Sequence, residues 1–185
     1  MARIEPLEPP YEPEVEDQLT RMMPPGTPPI ALFRMFAMNL PMARAMHGWG
    51  SYELSRSLSL TVRDREILID RTCARSGCEY EWGVHVAFFA DRARLDGTQI
   101  ASLTAGDPGD PCWTDSRDRL LISAADELYD TNDLSDGLWA QLRGEFDEDQ
   151  LLDLILLCGW YRAISSVARA TRLAPEPWAP TFAVA

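Results

Sequence analysis

Residues 61–95 read "TVRDREILIDRTCARSGCEYEWGVHVAFFADRARL". Thr61 stands three positions before Asp64, the spacing of a capping box, and Gly77 closes the run as a helix C-terminus should. The pattern predicts one helix from about 62 to 76 and a second that begins at Cys78 or Glu79 and runs through "EYEWGVHVAFFADRARL". Upstream, "IALFRMFAMNLPMARAMHGWGSYELSRSL" keeps apolar residues at helical spacing and predicts two short helices interrupted around Pro41. Downstream come a short helix in "GTQIASLTAG", turn chemistry in "GDPGDPCW", and three helices in "DSRDRLLISAADELYD", "SDGLWAQLRGEF" and "DEDQLLDLILLCGWYRAISSVARATRL". Asp147 with Gln150 repeats the capping pattern, and Pro175 follows the last helix. No segment pairs two-residue alternation with a hairpin turn, so the expectation is all-α.

The 185 residues suit one domain, and 46% hydrophobic with 25% charged residues is ordinary for a chain that folds by burying apolar surface. Residues 1–29 are rich in proline and are expected to form an extended arm, 30–174 the helical domain, and 175–185 a tail. The net charge is -12 and there is no lysine, which argues against nucleic-acid binding. An anionic substrate would need a local arginine pocket set against that field. Four cysteines at irregular spacing do not make a secreted disulfide scaffold. The acidic N-terminus carries no export pattern, and no run of about eighteen apolar residues suggests a membrane span. The expectation is therefore a cytoplasmic protein with no membrane partner.

On a helix, Cys78, Glu81 and His85 share one face, within about 60° of arc. Cys78 at the helix N-terminus is expected to have a lowered pKa if the dipole reaches it, while Glu81 one turn later opposes ionisation of the thiol. A Glu and a His coupled in this way suit proton transfer better than permanent thiolate nucleophilicity. Taken singly, each has a structural explanation: a buried packing thiol, a first-turn acid, a satisfied core histidine. Two ligands are too few for zinc, and no C-x-x-C pair or second nearby histidine completes a site, so no metal is expected. His47, before "GWG", reads as a helix-end residue. The G-x-S-x-G, G-x-x-x-x-G-K and G-x-G-x-x-G motifs are missing.

The string from Arg65 to Pro108 closely resembles the core of the carboxymuconolactone decarboxylase family, which shares the AhpD-like helical bundle with alkyl hydroperoxidases. The resemblance runs from about residue 30 to 172. Hydroperoxidase members carry Glu, eleven residues, Cys, two residues, Cys, three residues and His; Glu66, Cys78 and His85 match, and Glu81 replaces the second cysteine. A dithiol cycle needs a resolving thiol within disulfide reach, and Cys73 lies across a helix break.

The motif with Glu81 is similar to the decarboxylase-like branch, whose reaction needs no redox cofactor: loss of carbon dioxide from an unsaturated lactone acid, then protonation at carbon. The resemblance implies His85 as general acid/base, supported by Glu66 and Glu81, with Cys78 against the substrate and Tyr80 and Trp82 lining the pocket or a subunit contact. Arg63, Arg65, Arg71, Arg75 and Arg162 are candidates to clamp a substrate carboxylate. Family likeness also implies a homo-oligomer, a trimer or hexamer. The alternatives are a thiol hydroperoxidase or redox sensor using Cys78, and a non-catalytic helical oligomer or small-molecule-binding protein.

Overall fold

The computed structural model describes residues 2–182, and these form nine helices and no strand. The last three residues of the tail lie outside the described residues. The helices are α1 (Pro13–Met22), α2 (Ala31–Phe36), α3 (Leu40–Glu53), α4 (Val62–Arg75), α5 (Glu79–Ala93), α6 (Gly97–Ala105), α7 (Ser116–Thr131), α8 (Asp136–Glu145) and α9 (Glu148–Thr171). Both capping boxes read from the sequence close, Thr61 with Asp64 on α4 and Asp147 with Gln150 on α9. Asp96 and Gln99 form a third on α6. Pro41 interrupts the pattern by opening α3, in whose first turn its missing N–H costs nothing.

The N-terminal arm is not extended throughout, which corrects the expectation for residues 1–29. Pro13 sits in the first turn of α1, acidic Glu14 and Glu16 favour its positive end, and Leu19 is buried. This helix packs on α2 and α3 of its own chain. Proline richness argues against helix interiors but not against helix starts, and the second role is the one used here.

α4 is the hub, packed against α5, α6, α7 and α9, and every residue from Asp64 to Cys73 is buried. Half of that segment is charged, so each charge needs a partner. Asp64 accepts from Arg117, Arg65 pairs with Glu66, and Arg71 pairs with Asp126 while donating to the carbonyls of Leu103 and Gly106. Asp70 is fully buried with one carboxyl oxygen unpartnered, and burial first, then the Glu66 charge, pushes its pKa well above the usual range.

α4 ends in a Schellman motif. The Cys78 N–H donates to the Cys73 carbonyl and the Gly77 N–H to that of Ala74, both at 2.8 Å, with Gly77 at φ 62°. This reversal lays α5 alongside α4, so that the middle of one faces the middle of the other. α9 closes the third side. By length and hydropathy (1.4) α9 could cross a membrane, contrary to the expectation that no segment could, but 56% of that window is buried inside the bundle. Its apolar character is accounted for by packing.

The C-terminal segment crosses the outer face of α5. A Cβ on Gly83 would come within 2.4 Å of the Pro180 carbonyl oxygen, so this close approach requires glycine. Trp82 meets Phe182 edge to face, Phe88 meets Trp178, and the Phe182 N–H donates to Glu79.

Candidate active site

Glu66 from α4 and His85 from α5 meet across the interface that the Schellman turn creates. His85 Nδ1 lies 2.8 Å from Glu66 Oε2, and both residues are buried. The other Glu66 oxygen accepts from Arg65 Nε at 2.6 Å, and the Arg65 guanidinium rests 4.8 Å from the Phe89 ring centre. In the neutral imidazole, a hydrogen bond donated from Nδ1 to Glu66 leaves the lone pair on Nε2. That nitrogen is 3.7 Å from Glu81 Oε1, one turn back on α5 and too far for a hydrogen bond. Glu81 Oε2 is buried without a partner. Tyr161 of α9 packs edge-on against the imidazole, ring centres 4.9 Å apart, and Phe89 covers it at 5.3 Å.

Glu81 and His85 open onto a pocket of about 350 Å³. Its walls are almost wholly apolar, led by Leu32, Phe33, Phe36, Phe88, Phe89 and Trp160. Gly50 lets α3 come close: a Cβ there would stand 3.2 Å from the Trp160 ring. Burial, the largest influence, raises the Glu81 carboxyl above its ordinary range; His85 pulls it down and Glu66 pushes it up. Glu81 therefore tends to hold its proton beside a histidine whose free nitrogen can take one.

A carboxyl with a raised folded-state pKa favours folding below the unfolded pKa, and that contribution is lost as pH rises through the folded value. Glu81→Gln cannot ionise, so in urea unfolding it should gain on the wild type as pH is raised from about 4 to about 8. A difference independent of pH would mean that Glu81 pays no burial cost.

The structure brings together Glu66, Glu81 and His85 but separates the other expected residues from them. Cys78 is 1% exposed and is not in the pocket wall. Its thiol is pushed up by burial, the largest influence; the Glu81 N–H of the first helical turn pulls it down but does not prevail. The expected lowering by the helix dipole is thus overturned by desolvation. Cys73 is fully buried and pushed well up, also mainly by burial, and its sulfur lies 3.8 Å from Ser165 Oγ. With Cys158 also buried, only half-buried Cys112 should react promptly with a thiol-specific disulfide reagent in the native protein. The other three should react at the rate of unfolding; a second fast thiol, mapped to Cys78, would show the helix terminus prevailing over burial.

Tyr80 and Trp82 also leave the pocket. The Tyr80 hydroxyl accepts from the Leu32 N–H at 3.0 Å and donates to Glu176 at 2.7 Å, which holds the start of α2, and Trp82 packs beneath the tail. Four of the five candidate arginines serve the scaffold: Arg63 on Asp118, Arg71 on Asp126, Arg75 on Asp130 and Arg162 on the Leu128 and Tyr129 carbonyls. Arg65 reaches the site but is taken by Glu66. The arginine that lines the pocket is Arg21 of α1, and His47, which lies within α3 rather than at its end, lines it as well. Helical phase is the signal that could have found His47: it shares a face with Met46 and Gly50 in the pocket wall. Among the described residues no group of three or more His, Cys, Asp or Glu is arranged to hold a metal ion. With Nδ1 committed to Glu66, His85 and Glu81 supply two ligands where zinc takes three or four from protein.

No protein-family model matches the chain, and no curated protein matches it significantly. Solved structures do. An uncharacterized peroxidase-related protein from Silicibacter sp. TM1040 superposes with a TM-score of 0.81 at 17% identity, covering 96% of this chain and 93% of the other. The chain has the AhpD-like fold. A putative antioxidant defence protein AhpD from Agrobacterium tumefaciens gives 0.62 at 18% identity over 72% and 89% of the two chains. The debrominase Bmp8, in its apo form, gives 0.65 at 16% over 95% and 92%.

Proposed function

We propose that this protein catalyses proton transfer on a small cyclic or unsaturated carboxylate of the lactone type, in the manner of a carboxymuconolactone decarboxylase and without a cofactor. The observation that carries the reading is the buried run Arg65–Glu66–His85–Glu81, which ends at the floor of an apolar pocket. Glu66 fixes the imidazole tautomer, His85 Nε2 takes a proton, and the Glu81 carboxyl gives one. Nε2 and Glu81 stand side by side, 3.7 Å apart, so a reacting carbon or its neighbouring oxygen would meet both from the pocket side. In the decarboxylating form, the C–CO₂⁻ bond breaks, its electron pair enters the conjugated carbonyl system, the resulting dienolate is protonated at carbon by Glu81, and His85 Nε2 takes a proton from solvent and passes it to the Glu81 carboxylate to restore the acid. Dry walls favour loss of the carboxylate charge, since the transition state spreads what water would hold.

A second reading draws support from the names of the peroxidase-related and AhpD neighbours and from the nearness of Cys73 and Cys78. In it the Cys78 thiolate attacks the O–O bond of an organic hydroperoxide, releasing the alcohol and leaving a sulfenic acid; Cys73 then closes a disulfide with loss of water. Burial and raised pKa values of both thiols weigh against it.

The test is to incubate the purified protein with a panel of lactone and β-keto carboxylates, following carbon dioxide and deuterium uptake from solvent, and separately with organic hydroperoxide plus a thiol reductant. Carbon dioxide release or exchange that survives Cys78→Ser supports the first reading. Peroxide consumption abolished by Cys78→Ser, with no turnover of the carboxylates, overturns it.

A further inference from the structure

We infer that Arg21 and His47 form an anion-holding rim, so that the pocket selects an amphiphile with an apolar body and one carboxylate that stays outside the chemistry. The inference rests on the pocket being the active site. Apart from the aromatic Trp160 and Tyr161, five residues bring polar side chains to the wall: Arg21, His47, Ser51, Glu81 and His85. They divide by depth. Glu81 and His85 are buried at the floor, whereas Arg21 is exposed, His47 half-buried and Ser51 exposed. His47 and Ser51 are one turn apart on α3 and so face the same way. Arg21 lines the same pocket from the last turn of α1, which packs on α3.

The two ends of the pocket differ in what they offer an anion. At the floor the one guanidinium, Arg65, is taken by Glu66 and the walls are apolar, so a second ligand anion finds no free cationic partner there, and the protein as a whole carries -12. A retained carboxylate is therefore directed to the rim. Arg21 is available for it: its partner is Asp17, at 2.8 Å, with both side chains more than 60% exposed. An exposed pair of this kind contributes little, so a ligand carboxylate can take the guanidinium's planar fork at small cost. His47 makes no hydrogen bond or ion pair among the described residues, so a ring N–H is free to donate. At about 30 Å³ per water-sized group, the pocket admits a body of about a dozen non-hydrogen atoms.

Binding of 2-naphthoate and 4-phenylbutanoate, each against its primary amide, tests this by titration calorimetry on the full chain. The acids should bind about tenfold more tightly than the amides, equivalent to about 1.4 kcal/mol. Arg21→Gln should reduce that ratio to about twofold and Arg21→Gln with His47→Gln to about one, with amide affinity unchanged. Asp17→Asn, which frees Arg21, should raise acid affinity alone. Amides that bind as well as the acids, no acid binding at millimolar concentration, or an Arg21→Gln effect equal on both series would each overturn the inference. Because the ratio is measured without turnover, it also holds or fails in a His85→Gln background, which separates it from the proposed proton transfer.

Discussion

His85→Gln is expected to lower carbon dioxide release or solvent exchange by about 10²- to 10⁴-fold, the usual contribution of a positioned acid or base. Glutamine fills similar space and can still donate to Glu66, so the ion pair with Arg65 and the packing of Tyr161 and Phe89 should persist. What it lacks is a nitrogen that can take a proton facing Glu81. The loss should therefore fall on kcat, with unfolding midpoints little changed. Glu66→Gln should lose less, because the ring keeps its place but not the carboxylate that fixes its tautomer. Retention of activity within about tenfold by His85→Gln would place the proton transfer on another group.

The largest loss of stability is expected at Arg65. Its side chain is 6% exposed, its guanidinium lies 2.5 Å from Glu66, and among the described residues no second basic side chain but His85 pairs with that carboxylate. Arg65→Ala leaves a buried charge uncompensated, which costs about 3–5 kcal/mol, and also removes the stack on Phe89. The double variant Arg65→Met with Glu66→Gln should recover much of that loss, since an apolar replacement of both charges needs no pairing. Urea unfolding of the two variants side by side checks both statements. A single-variant loss below about 1 kcal/mol would mean that Glu66 finds another partner or a proton.

Much of the helical architecture was legible because its signals are local. Capping boxes, Gly77 and Pro41 each act within one turn of where they stand. The spacing that put Glu81 and His85 on one face of α5 was equally local, and the recognisable string added Glu66 from the preceding helix. The misreadings have a common cause in tertiary burial. Arg65 and Arg71 are expected as candidates to clamp a substrate carboxylate, yet the helix that carries them is enclosed by α5, α6, α7 and α9, and each is taken by a carboxylate of the scaffold. Cys78 sits at a helix N-terminus as expected, but the field of that terminus is outweighed by the loss of water around the thiol. His47 reads as a helix end although its phase with Gly50 points to the pocket, and Arg21 carries no local signal at all, because its place in the wall depends on α1 folding back onto α3, a contact between segments that no spacing rule connects.

The aromatic residues of α5 carry a lesson for comparing relatives. Tyr80 and Trp82 stand within the most recognisable part of the chain, and they serve the strap that crosses the back of α5 rather than the pocket in front. Across an alignment they should vary together with Glu176, Gly83 and Phe182, while Glu66, Glu81 and His85 form a separate covarying group. Relatives with a different C-terminal segment should be free to exchange both aromatics and still keep the acid–base trio, so sorting sequences by the whole string would mix two independent histories.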